Sequence, residues 1–141
     1  MGWKLFTAEM VDEMLRLQDA DPEFRQKLKR LNFSFILVGT DAPGNEDRKL
    51  EIILKDGRFV NVNVNIKPAP SDLRNPTFDK TKFDAKIVGD HHTIFDLVSG
   101  KFDLLEAISK VRIEGDFGKL VAKASDFMNF IQYLSTQDIE P

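Results

Sequence analysis

A chain of 141 residues, 42% apolar and 30% charged, has the length and composition of one globular domain with a core of its own. It contains no cysteine, which excludes disulfides, thiolate metal sites and cysteine nucleophiles. A net charge of −3, with no basic run longer than Lys27-Leu28-Lys29-Arg30, argues against nucleic acid as a partner.

No apolar run reaches the length of a membrane span, and Met1-Gly2-Trp3-Lys4-Leu5-Phe6 lacks the apolar core of a signal peptide. The tail Asp138-Ile139-Glu140-Pro141 is not a peroxisomal address. The expected location is the cytoplasm.

Thr7 is the expected N-cap of a first helix whose stripe is Met10, Val11, Met14 and Leu15. Asp21-Pro22 starts a second, with Asp21 as cap and Pro22 at the first helical position, where a missing N–H costs nothing. Its apolar face is Phe24, Leu28 and Leu31. A strand over Phe33 to Val38 is apolar on both faces and therefore central. Leu50 to Lys55 and Arg58 to Ile66 alternate on either side of Asp56-Gly57, a two-residue hairpin signal. In the second of these, Val60, Val62, Val64 and Ile66 share one face, and Asn61, Asn63 and Asn65 turn to water.

Lys67 to Thr81 holds Pro68, Pro70 and Pro76 without a period and reads as a long crossover, either a lid or a link between sheet edges. Phe83, Ala85 and Ile87 then alternate with Lys82, Asp84 and Lys86 in a fourth strand. Asp90 caps a helix holding Ile94, Phe95 and Val98, and Gly100 ends it. Asp103 is the expected cap of another short helix. Lys110 to Glu114 alternates as a fifth strand, Gly115 turns the chain, and Asp116 caps the last helix.

From Asp116 to Leu134 that helix spans roughly 28 Å. Phe117, Leu120, Val121, Ala124, Phe127, Met128 and Ile131 form one stripe, widened by Phe130, Tyr133 and Leu134. Such a stripe packs on a sheet. The aromatic surface of its second half exceeds what one contact face needs. It is either a greasy core end or the lining of an apolar cavity.

In this order, the chain resembles the sterol carrier protein type 2 family of small lipid-binding domains. The resemblance is carried by Leu97-Val98-Ser99-Gly100 at a helix end, the few residues on to Ala107, and Lys110-Val111-Arg112-Ile113-Glu114-Gly115-Asp116. The meander with Asp56-Gly57 fits as well, so the resemblance covers about half the chain. It implies an α+β (mixed α/β) fold, a five-stranded, largely antiparallel sheet with helices packed on one face. The domain is expected to be residues 1–141, with a core of about 22–134. It also implies an apolar tunnel between the sheet and the C-terminal helix for a fatty acid, fatty acyl-CoA or sterol-like molecule. The expected wall is Phe95, Phe102, Leu105, Leu120, Ala124, Phe127, Met128, Phe130, Ile131 and Leu134. Met128 suits such a wall because a flexible thioether adapts to varied chains.

The sequence offers little chemistry beyond this. His91 and His92 are adjacent, so on a helix they diverge by about 100° and read as surface residues of a first turn, not as a metal pair. No Gly-x-Ser-x-Gly elbow and no glycine-rich phosphate loop is present. Asp84 and Glu114 are explained by cross-strand salt bridges. No catalytic residue, metal or cofactor is expected, and the chain is not expected to be an enzyme. A lipid carrier is the first reading. A protein–protein module using an exposed apolar end of the last helix is the second, and a small enzyme on an apolar substrate the third. These readings are compatible with an apolar lipid partner, transient contact with a membrane surface and a homodimer.

Overall fold

The computed structural model describes the chain apart from Met1, Gly2, Phe102, Asp103 and Thr136, and apart from the side chains of Leu104, Leu105 and Ala107. The elements in order are β1 (Trp3–Lys4), α1 (Ala8–Ala20), α2 (Pro22–Leu28), β2 (Phe33–Ala42), β3 (Glu46–Lys55), β4 (Arg58–Pro68), a 3-10 turn (Asp72–Arg74), β5 (Ala85–Asp90), α3 (His91–Val98), α4 (Leu104–Lys110), β6 (Arg112–Gly115), α5 (Phe117–Leu134) and β7 (Ile139–Glu140).

The five-stranded sheet has the order β4-β3-β2-β5-β6. Only β2 and β5 run parallel; the other three pairings are antiparallel. The apolar run of β2 explains its central place. Phe33, Phe35 and Leu37 join Leu50, Ile52, Leu54, Ala85 and Ile87 on the face that α1, α2, α3 and α5 cover. Ile36 and Val38 face the other way, under Leu73 and Phe83 of the crossover.

Local chemistry sets the turns. The Thr7 hydroxyl accepts from the Met10 N–H at 3.4 Å, and the Asp21 carboxylate from the Glu23 N–H at 2.9 Å. Gly57 sits at φ +79°, and a Cβ there would stand 2.6 Å from the Leu28 carbonyl oxygen, so the hairpin turn tolerates only glycine.

Several expectations shift. In α1 Leu17 is buried, while Leu15 is 37% exposed. Leu31 is buried but lies beyond the end of α2. In β4 the register slips between Asn61 and Phe59, leaving Val60 as a bulge. Phe59 thereby turns inward beside Leu54, and Val60 turns out. Phe83 precedes β5 and packs on the crossover face, opposite Ala85 and Ile87. Lys110 ends α4, and β6 starts at Arg112. The expected cap Asp103 lies outside the described residues. The buried core begins at Leu5, ahead of residue 22, because β1 pairs with β7 and brings Leu5 and Phe6 under the sheet end. The Leu5 N–H donates to the Glu140 carbonyl at 2.9 Å, and Arg48 Nη1 donates to the Leu5 carbonyl at 3.0 Å.

The crossover links the β4 edge to β5 and is fixed by a buried ion. Asp47 is fully buried, and its carboxylate accepts from Arg74 Nε and Nη2, both at 2.9 Å. It also accepts from the Ser71 hydroxyl at 2.7 Å and from the Ser71 and Asp41 amides. Burial pushes this carboxyl up, and the bonds from Arg74, Ser71 and Asp41 more than reverse that, holding it well below the usual carboxylate range. Removing Arg74 leaves a buried charge short of its cation. Arg74→Ala is expected to cost about 3–5 kcal/mol in urea unfolding. A loss below about 1 kcal/mol would show that Ser71 and the amides suffice.

Candidate functional site

The last helix starts where the Asp116 carboxylate accepts from the Lys119 N–H at 3.1 Å. Its second half is seated in a closed aromatic cluster. The Phe127 ring lies 5.1 Å from Phe35 and 5.5 Å from Phe33. Phe130 lies 5.4 Å from Phe33 and 6.2 Å from Phe59, and Tyr133 stands edge-on to Phe24 at 5.0 Å. Phe130, Ile131 and Leu134 are each at most 2% exposed. The wide apolar arc therefore has two partners, the sheet and α2, and its aromatic end is core.

The flank of α5 that carries Leu120, Ala124 and Met128 has a different setting, and Phe127 is shared between the two. Leu120, Ala124, Phe127 and Met128 face Ile87 of β5, Ile113 of β6, Leu97 of α3, Ile108 of α4 and Val111. All nine side chains are apolar. The seam between them holds a cavity of about 20 Å³, far below the roughly 300–1,000 Å³ of an ordinary ligand pocket. A lipid tail enters only if the walls part. Phe117 and Val121, 55% and 56% exposed, stand one turn apart on the same flank of α5 as Met128.

Of the ten expected wall residues, Leu120, Ala124, Phe127 and Met128 meet at this seam. Phe130, Ile131 and Leu134 pack into the core, and Phe95 is half-buried on α3 against the same core. Phe102 and the side chain of Leu105 lie outside the described residues. Ile87, Leu97, Ile108, Val111 and Ile113 were not among those expected. Val111 and Ile113 share one face in the sequence pattern, but nothing local says that β6 lies at the sheet edge under α5.

Among the described residues, no titratable group lines the seam and no three His, Asp or Glu could hold a metal ion. The histidines divide. His92 is exposed and lies 3.5 Å from Asp96, an i,i+4 neighbour. His91, expected at the surface, is 1% exposed, edge-on to Phe6, with neither ring nitrogen hydrogen-bonded. The β2–β5 register puts Gly39 against the start of α3, and the ring fills the space a Cβ would take, its Nδ1 2.4 Å from that position.

Burial, reinforced by Arg48, pulls the His91 imidazole down to about 4; Asp90 and Glu46 oppose the shift, and His92 adds to it. The unfolded chain takes up the proton near pH 6.5 and the folded chain near 4. The contribution of this site to stability is therefore complete above pH 6.5 and is lost as pH falls toward 4, by up to roughly 3 kcal/mol. His91→Phe is expected to flatten that slope in urea titrations at stepped pH, and an unchanged slope would place the acid sensitivity elsewhere. Within α5, Phe130→Ala is expected to cost about 3–5 kcal/mol, and Val121→Ala no more than about 0.5 kcal/mol. Similar losses from both in urea unfolding would contradict the placing of Phe130 in the core and of Val121 at the surface.

No family model and no curated protein matches the sequence. Solved structures do match. A conserved hypothetical protein of Thermus thermophilus, suggested to be a sterol carrier protein, superposes with a TM-score of 0.67 at 16% identity, over 99% of this chain and 94% of that one. A crystal structure of sterol carrier protein 2 gives 0.66 at 15% identity, over 94% and 98%. Domain 2 of the Helicoverpa armigera sterol carrier protein gives 0.52 at 16% identity, over 94% and 90%. The fold, a five-stranded mixed sheet with helices on one face, is thus that of the sterol carrier proteins. No helix among the described residues is long and apolar enough to cross a membrane.

Proposed function

We propose that this chain, as a single domain over residues 1–141, binds an apolar lipid and carries it or presents it to another protein. The tail of a fatty acid, fatty acyl-CoA or sterol-like molecule would lie in the seam between β5, β6, α3, α4 and the first half of α5. The observation that carries this reading is an apolar lining at that seam, without a polar side chain among the described residues, on a sterol-carrier fold. A lining of this kind recognises apolar area at about 25 cal/mol per Å² and leaves the headgroup unread. Binding would therefore be broad in lipid class. The ligand would be taken up in the cytoplasm or in passing contact with a membrane surface. No catalysis and no cofactor is assigned.

The second reading is a protein–protein module, including a homodimer, built on exposed apolar residues of α5. Phe117 and Val121 favour it, at the start of the helix and not at its aromatic end.

Organic extraction of the purified protein followed by mass spectrometry is expected to yield stoichiometric lipid. Met128→Asp and Ile108→Asp change half-buried wall residues. Each is expected to weaken a fluorescent fatty acid by at least about tenfold with the far-UV circular dichroism unchanged. Ile131 is a poor test site, because a charge at 1% exposure would unfold the core. Unaltered affinity in both variants would remove the seam as the binding site.

A further inference from the structure

At the end of the sheet where β3 turns into β4, two segments far apart in sequence are locked together. The Gly57 N–H donates to the Leu31 carbonyl at 3.1 Å, and the Asp56 N–H to Asn32 Oδ1 at 3.0 Å. The Asn32 N–H in turn donates to Asp126 Oδ2 of α5 at 2.9 Å. Between α2 and the hairpin turn this leaves an open cleft of about 340 Å³.

Arg25, Lys29 and Arg58 line it, with Gln18, Gln26 and one carboxylate, Asp56. Lys27, Arg30 and Lys55 are exposed on the same two segments. Residues 25–30 and 55–58 thus carry six cations against one carboxylate, in a chain whose net charge is −3; Lys27 opens on a neighbouring cleft beside Glu23, and Asp19, Asp21 and Glu23 lie on the residues leading into α2. None of the six forms an ion pair among the described residues, whereas Arg16, Lys49, Lys67, Lys101 and Arg112 each do. Arg25 is positioned by its Nη1, which donates to the Asp19 carbonyl at 2.9 Å and, at 3.4 Å, to that of Gln18. Its Nε and Nη2 make no hydrogen bond among the described residues.

Unpaired cations gathered in a cleft with low-dielectric walls focus a positive potential and draw in anions. The shape decides which anion. Cations on both walls of a concave groove can grip an extended chain from two sides, and the Gln26 amide adds a donor and an acceptor to the lining. A planar lipid surface meets only the outer tips of such a groove. Pro22 is the one apolar side chain in it, so recognition rests on charge and falls with salt.

We propose that this cleft docks an acidic segment of a partner protein, several Asp or Glu carboxylates in extended backbone, with Arg25 and Arg58 as the gripping pair. The inference stands apart from the lipid reading, since none of these residues touches the apolar seam.

The test is fluorescence anisotropy with a labelled peptide of alternating Glu and Ser, its Gln-for-Glu counterpart, phosphatidylglycerol vesicles and a short oligonucleotide. The acidic peptide is expected to bind at about 50 mM salt and to weaken at about 300 mM. Its Gln counterpart is expected not to bind. Arg25→Ala with Arg58→Ala, and the surface reversal Arg58→Glu alone, are each expected to raise Kd by about tenfold or more. Lys80→Ala with Lys82→Ala is expected to leave it unchanged. Equal loss in the Lys80 and Lys82 control, or tighter binding of the vesicles or oligonucleotide than of the peptide, would overturn the proposal.

Discussion

The contact between Phe127 of α5 and the Phe33–Phe35 pair of β2 is the constraint from which the rest of the arrangement follows. Aromatic pairs of this kind contribute about 0.5–1.5 kcal/mol each beyond the area they bury. Here four rings, Phe33, Phe35, Phe127 and Phe130, lie within 5.5 Å of their neighbours. They pin the second half of α5 over the central strand. The first half must then cross β5 and β6, where the sheet ends and α4 closes the side. A helix anchored at one end over a dense core thus rests toward the other on the aliphatic side chains that line the seam.

The sheet can offer that seam because its opposite face is closed independently. A parallel neighbour for β2 requires a long connection, and in this chain the connection covers the back of the sheet instead of forming a lid over the seam. Asp47 and Arg74 hold it there at 2.9 Å. Arg48, the next residue, points to the helix face and ties down the Leu5 carbonyl. Two adjacent residues of one edge-proximal strand thus fix the crossover on one face and the N-terminal segment on the other. The alternation of β3 does this with no specialised loop chemistry.

The parts of the fold legible in the sequence were those set by period and by turn chemistry. Thr7, Asp21, Asp90 and Asp116 cap helices as their positions suggested. The two-sided apolar run of Phe33 to Val38 lies at the centre of the sheet. What failed did so for non-local reasons. The bulge at Val60 reverses a face, and period alone cannot show a slipped register. His91 looked like a surface residue of a first helical turn, but Gly39 on a neighbouring strand leaves the space its ring fills. The candidate site divides in the same way. Leu120, Ala124, Phe127 and Met128 share a helix flank that the sequence displays, while Ile87 and Ile113 join them through strand order and Ile108 through the packing of α4. Phe130, Ile131 and Leu134 looked like surplus, but they are buried in the core, where Phe130 meets Phe33 and Phe59 of strands distant in the chain.

We propose that the seam along α5 opens to admit an apolar chain while Phe130 and the aromatic rings around it stay seated. Methyl-resolved NMR of the isotope-labelled protein, titrated with a long-chain fatty acid, tests it most directly. The methyl signals of Ile87, Ile108, Ile113 and Met128 are expected to shift together and saturably, while that of Ile52, buried with the aromatic cluster in the core, stays in place. Shifts centred on residues away from the seam, or no shifts at all in protein shown to be free of lipid, would contradict it.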